Sequence, residues 1–169
     1  LCRQAAVKLV KGEQKSISVG VKRLKEFLGR KKIHHDVRMQ EPQAGVVTGL
    51  AWTSAGGEIL FIETSRTKGE GKVQITGQLG DVMKESVQIA LTLVKSMFPE
   101  EAETLNESDI HIHVPAGAVP KDGPSAGITI VTALTSMLKE KGISPEYAMT
   151  GEVSLRGGVM PIGGLPEKL

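Results

Sequence analysis

Aromatic residues are scarce in this chain. Three Phe, one Trp and one Tyr make up 3% of its 169 residues. The core must therefore be built from Val, Ile, Leu, Ala and Met, and the shortage argues against a stacking platform for single-stranded nucleic acid. Cysteine is scarcer still. Cys2 stands alone, which excludes an internal disulfide and a cysteine metal cluster and fits a reducing compartment. No uninterrupted apolar run reaches membrane-spanning length, so no membrane partner is expected. The opening Leu-Cys-Arg-Gln has neither an initiator Met nor a leader pattern. It reads as the inside of a helix, and the expectation is that the parent chain begins further upstream.

What is present is a balanced globular composition. Apolar residues reach 40%, enough for a core, and the length suits one domain with an appendage. The net charge of +2 conceals an asymmetry. Residues 1–40 carry 11 Lys and Arg against 3 Asp and Glu; residues 41–169 carry 10 against 16. The balances are +8 and −6, which places a boundary near residue 40. The basic segment has two readings: a solvated helical surface, or a weak DNA-binding patch without a recognition motif.

The chain reads as two pieces. In residues 1–40, a helix is expected over 1–11, a short strand at Ile17–Val19 and a helix over Val21–Leu28 stopped by Gly29. Residues 30–44 read as a polar linker. From residue 45 the pattern is α/β of the α+β kind, a hairpin-rich sheet with packed helices. Strands are expected at Val46–Thr53 and Glu58–Thr64, with Gly56-Gly57 as the hairpin signal, and at Lys72–Thr76. Asp81–Met97 predicts an amphipathic helix with Val82, Met83, Val87, Ala90, Leu93, Val94 and Met97 inward. Asp109–Val114 alternates, putting Ile110 and Ile112 on one face and His111 and His113 on the other. A helix over about 125–140 follows. Tyr147–Thr150 and Glu152–Arg156 are short strands, Gly157-Gly158 a turn, and Pro166 suits the first turn of a last helix.

The chemistry concentrates at Gly123-Pro124-Ser125-Ala126-Gly127, which fits the Gly-x-Ser-x-Gly of a nucleophile elbow. Five residues are weak evidence alone, and two readings of Ser125 stay open: a nucleophile, or a cap of the following helix. A hydrolase triad with a downstream histidine is excluded, because His34, His35, His111 and His113 all precede Ser125. The residue three after Ser125 is Ile128, which excludes a Ser-x-x-Lys arrangement. The downstream candidates are Lys139, Lys141 and Lys168. The first two belong to the polar end of their helix. Lys168 falls in a helix first turn beside Ile162, Leu165 and Leu169, where the dipole and desolvation would both lower its pKa. A Ser–Lys pair is a known convergent solution; a surface lysine beside Glu167 is the alternative. N–H groups at the start of the Ser125 helix offer an oxyanion hole. Gly123 lets a substrate backbone approach, and Asp122 orients the loop or caps that helix. Thr150 is a candidate to hold the lysine amine. His111 and His113 lack an evident third metal ligand; Glu63 and Trp52 either line a cleft or pack an edge. No phosphate-binding loop is present, so no cofactor or metal is expected on this chain.

Several longer motifs carry a resemblance. They are Gly45-Val-Val-Thr-Gly-Leu-Ala-Trp-Thr53, Ile110-His-Ile-His-Val-Pro115, Pro120-Lys-Asp-Gly-Pro-Ser-Ala-Gly127, Ala148-Met-Thr-Gly-Glu152 and Pro161-Ile-Gly-Gly-Leu165 with Glu167-Lys168. In this order they resemble the Lon protease family of ATP-dependent serine peptidases. The resemblance implies Ser125 as nucleophile and Lys168 as general base of a Ser–Lys dyad, with Thr150 supporting it. It implies that 1–40 ends the helical subdomain of an ATPase module and that 45–169 is a proteolytic domain. ATP and magnesium are expected on the rest of that module, and unfolded or damaged polypeptides as substrates. A homo-oligomeric, hexameric ring and a cytoplasmic location are expected as well. Pro166 stands where many family members have Lys, which leaves the dyad intact. The chain stops at Leu169, so the proteolytic domain is expected to be truncated, with a catalytically impaired ring-assembly or binding module as the alternative reading.

Overall fold

The computed structural model describes residues 1–12, 16–29, 41–53, 56–115 and 120–168. It divides into two compact units, residues 1–35 and 36–169.

In the first unit, α1 (Cys2–Val10) is followed by a 3₁₀ turn at Val21–Arg23 that runs into α2 (Leu24–Leu28). Phe27 is its buried anchor. The Lys8 amine and the Arg23 guanidinium lie 4.9 and 5.2 Å from its ring centre, close enough for cation–π attraction. Both also bond Glu26, and Lys8 first and Arg23 second hold that carboxyl below its usual range. Gly29 ends α2 with φ 78°, as its position predicts. The strand expected at Ile17–Val19 is not formed. The Ser18 carbonyl accepts instead from Arg23 Nη1 at 3.0 Å, so no ladder is built there. The polar linker expected at 30–44 falls largely on residues 30–40, outside the described residues.

The second unit holds β1 (Val46–Thr53), β2 (Gly56–Lys68), β3 (Val73–Thr76), α3 (Asp81–Met97), α4 (Pro99–Asn106), β4 (Ser108–His113), α5 (Gly127–Leu138), β5 (Ala148–Met149), β6 (Glu152–Val153), β7 (Val159–Met160) and α6 (Leu165–Lys168). The first five strands form one mixed sheet in the order β3-β4-β2-β1-β5. The β1–β2 and β2–β4 pairs are antiparallel; β5 on β1 and β3 on β4 are parallel. The two parallel edges were not legible, since parallel partners are distant in sequence. Strands β6 and β7 form a separate ribbon. The glycine pair expected as the β1–β2 turn opens β2 instead: Thr53 pairs with Gly56 and Trp52 with Gly57. Residues 54 and 55, between them, lie outside the described residues.

One sheet face is apolar because the strand period of two places Val47, Ile62, Ile110 and Ile112 together. Helix α5 packs on it through β1 and β2, and α3 packs in turn against α5, with residues of both in one core. Met83, Val87, Ala90, Leu93 and Val94 face inward as predicted. Val82 and Met97, also expected inward, are exposed, because the covered stripe is narrower than the apolar one. Helix α5 is apolar nearly all round and is accordingly central. Ile130 and Ala133 are fully buried and Leu134 nearly so, and each large aliphatic side chain contributes about 1.5–3 kcal/mol. Thr129 and Thr64 are buried with their hydroxyls bonded to the carbonyls of Met149 and Ala133, which removes the cost of an unpaired polar atom. Helix α4 gave no clear sequence pattern, since it buries only Leu105. Among the described residues, no helix is long and apolar enough to cross a membrane.

Candidate active site

The site begins where β4 delivers the chain to α5. Lys121 pairs with the segment before α3: the Lys121 carbonyl accepts from Gly80 N at 2.7 Å, and Lys121 N donates to the Gln78 carbonyl at 3.1 Å. Asp122 Oδ1 accepts from Met83 N and Gly123 N, both at 2.9 Å. The expectation that Asp122 caps the helix after Ser125 is corrected: its carboxylate sits on the first turn of α3, where N–H groups and the dipole favour an anion. Gly123 then takes φ 117°, a conformation that disfavours any side chain. Nothing lies within 4 Å of where a Cβ would be. Space is therefore open for another backbone to approach.

Pro124–Ala126 form a 3₁₀ turn that feeds α5, and neither element has a side-chain cap. The cap reading of Ser125 is thus not what the hydroxyl does. Ser125 is half-buried, and its carbonyl accepts from Gly151 N at 2.8 Å and Thr150 Oγ1 at 3.2 Å. Its Oγ lies 2.9 Å from Lys168 Nζ, which also donates to Thr150 Oγ1 at 3.0 Å. Ser125, Thr150 and Lys168 thus meet although 25 and 18 residues separate them in turn. They sit beside a cavity of about 530 Å³ whose lining includes Ser125, Lys168, Trp52, Glu58, Met83 and Gly123.

Burial pushes the Lys168 amine below the usual lysine range, because desolvation penalises an ammonium. The cover comes from packing of α6 on β1 and β2. The dipole argument does not carry over. Helix α6 has four residues and Lys168 is its last, so no N-terminal field acts on it. Nor is Leu165 a good shield, being 43% exposed; Leu169 is outside the described residues.

The other candidates fall elsewhere. Lys139 and Lys141 are exposed, and Lys139 pairs with Glu101. His111 Nε2 and His113 Nδ1 lie 2.8 and 2.7 Å from Thr76 Oγ1. His34 and His35 are outside the described residues. Among the described residues no three His, Cys, Asp or Glu are placed to hold a metal. Trp52 lines the cavity and is 59% exposed; Glu63 does not line it and faces Val46 and His113 across the sheet. Glu58 and Thr76 were missed. Glu58 sits on a strand that reads as ordinary sheet, and Thr76 reaches the histidines only through the parallel β3–β4 pair.

The fold and site together define a mixed α/β domain in which a serine at a helix start meets a half-buried lysine amine. The family model for the Lon protease (S16) C-terminal proteolytic domain matches residues 18–169. The chain belongs to this family. It is 59% identical to the Lon protease of Clostridium beijerinckii over 86% of its length and 18% of the relative's. It is 52% identical to Lon protease 1 of Bacillus subtilis over 99% of its length and 22% of the relative's, and 51% identical to the Lon protease of Phenylobacterium zucineum over 100% and 22%. The chain thus spans about a fifth of the length of these relatives.

Proposed function

We propose that this chain is the proteolytic part of a serine endopeptidase that cleaves polypeptides through a Ser125–Lys168 dyad. The observation that carries this reading is the 2.9 Å approach of Lys168 Nζ to Ser125 Oγ, with the amine pKa lowered by burial. A lysine with its ordinary pKa of about 10.4 is almost wholly protonated at pH 7 and takes no proton. Depression raises the neutral fraction, whose lone pair accepts the Ser125 proton. Thr150 fits as the orienting group. Its hydroxyl donates to the Ser125 carbonyl and accepts an N–H from Lys168, which leaves the amine lone pair free to face Oγ.

Ser125 Oγ attacks the peptide carbonyl carbon and its proton passes to Lys168. The tetrahedral oxyanion is stabilised by N–H groups at the start of the Ser125 helix. Lys168 returns the proton to the departing amine nitrogen, leaving an ester on Ser125. Lys168 then takes a proton from water, the resulting hydroxide attacks the ester carbonyl, and Lys168 returns that proton to the departing Ser125 Oγ, which releases the carboxylic product and restores the dyad. The open space over Gly123 suits an extended substrate backbone. Unfolded or damaged polypeptides are the substrate class on this reading. A hexameric cytoplasmic ring, driven by ATP and magnesium bound by residues beyond those in this chain, is its setting. Weak DNA binding through 1–40 is a further proposal. Hydrolysis of a fluorogenic peptide by the intact protein tests the core claim. Ser125→Ala should abolish it with the far-ultraviolet circular dichroism unchanged; full activity in that variant would sink the assignment.

A further inference from the structure

We propose that Thr76 is a positioning residue for Ser125, anchoring through His111 and His113 the strap on which the Ser125 loop rests; this builds on the reading of Ser125 as nucleophile. Strand β3 has only four residues, lies at the sheet edge and has Val73 and Gln74 exposed. Such a strand is held weakly by its ladder alone. Its last residue carries a side-chain lock. Thr76 Oγ1 is 2.8 Å from His111 Nε2 and 2.7 Å from His113 Nδ1, while its carbonyl accepts from Val114 N at 3.1 Å. A hydroxyl has one proton. With the hydroxyl proton committed to one ring, that ring nitrogen accepts and the other donates to Oγ1.

Immediately beyond the lock the chain leaves the sheet. Gly77 has φ 114°, and a Cβ there would lie 2.2 Å from the Val114 carbonyl oxygen, so no other residue fits. Gln78 follows at φ 56°, an unusual conformation for a residue with a Cβ. These two residues carry the chain to the Lys121 pairing, where Leu79 is buried and bridges Lys121. Lys121 Nζ also donates to the Gly77 carbonyl at 3.2 Å. The strap 76–80 thus connects the histidine lock to residues 121–122, four and three positions before Ser125. A shift of an ångström at a nucleophile costs up to about a hundredfold in rate, so an anchor at this distance has a kinetic reading.

The test uses Thr76→Val, which keeps shape and removes the hydroxyl, and Thr76→Ser, which restores it. The expected result in the intact protein is a kcat loss on the order of tenfold for Val, with KM nearly unchanged and recovery in Ser. Amide hydrogen exchange at Gly80 and Lys121 should quicken in Val alone. Unchanged kcat and exchange in Val, or equal losses in Val and Ser, would overturn the proposal. If Thr76→Val does not fold, His113→Asn, which keeps an atom near the Nδ1 position, is compared with His113→Leu. A kcat loss in Leu alone supports the lock, and equal behaviour overturns it. The exchange measurement reads the strap even if Ser125→Ala retains activity, so failure of the nucleophile reading is distinguishable from failure of this one.

Discussion

The two halves of the proposed dyad are built differently. Ser125 stands at the head of α5, whose Thr129, Ile130 and Ala133 are fully buried, and its carbonyl is tied to Thr150 and Gly151. Lys168 arrives on a four-residue helix that begins at the exposed Leu165 and follows the exposed Gly163 and Gly164. The nucleophile is attached to a core helix, while the base is brought to it by a surface element. Rigid placement of one partner and light placement of the other means that mutations near each should fail in different ways.

The largest expected effect breaks both halves equally. Ser125→Ala and Lys168→Met should each lower kcat by about three orders of magnitude or more, and the double variant should lose little beyond either, because residues acting as one unit are not additive. Peptide hydrolysis by the three variants checks this; multiplicative losses would mean that the two residues do not work together.

Next comes the core beneath the serine. Leu134→Ala should destabilise the fold by about 2–5 kcal/mol, read by denaturant unfolding. Leu165→Ala on the lysine side should change stability by less than about 0.5 kcal/mol yet lower kcat. Similar stability losses at both positions would erase the contrast.

The pH dependence is sharper still about Lys168. Its pKa is lowered in the fold, so kcat/KM should rise with pH through a midpoint below the ordinary lysine value as the amine becomes neutral. The sign for stability is the same. The unfolded chain binds this proton more tightly, so the penalty of folding over it is complete below the folded pKa and vanishes above the unfolded one. Lys168→Met should abolish that limb of the rate profile; a profile identical to the unsubstituted protein's would assign the titration elsewhere.

The smallest effect concerns Thr150. Thr150→Val should cost on the order of tenfold in kcat by freeing the amine to rotate, and Thr150→Ser should stay within about twofold. Steady-state kinetics on the pair checks it, and equal rates in all three proteins would make the threonine a bystander.

Much of this was legible in the chain. Alternation through Ile110, His111, Ile112 and His113 identified β4 and its two faces. The stripe from Met83 to Val94 identified α3, and the ordered motifs identified the family. Where the sequence failed, the cause was pairing at long range. Ile17–Val19 has strand composition but no partner strand among the described residues, whereas α4 has a weak pattern and is held by packing against α3 and β4. Asp122 has capping chemistry in any context, yet only the Lys121 pairing decides which helix it caps.

Residue types and local spacing by themselves determined the elements of the core, the serine between two glycines and a downstream lysine as its candidate partner. They act through neighbours a few positions apart, and such neighbours are visible in a string of letters. The tertiary structure alone decided that Thr150 Oγ1 and Lys168 Nζ converge on Ser125, that burial rather than a helix dipole depresses the lysine, and that Thr76 bridges two histidines. Each depends on segments brought together by a sheet with two parallel edges and on water excluded by that packing. Solvation and hydrogen-bond geometry belong to the assembled fold, not to any one stretch of it.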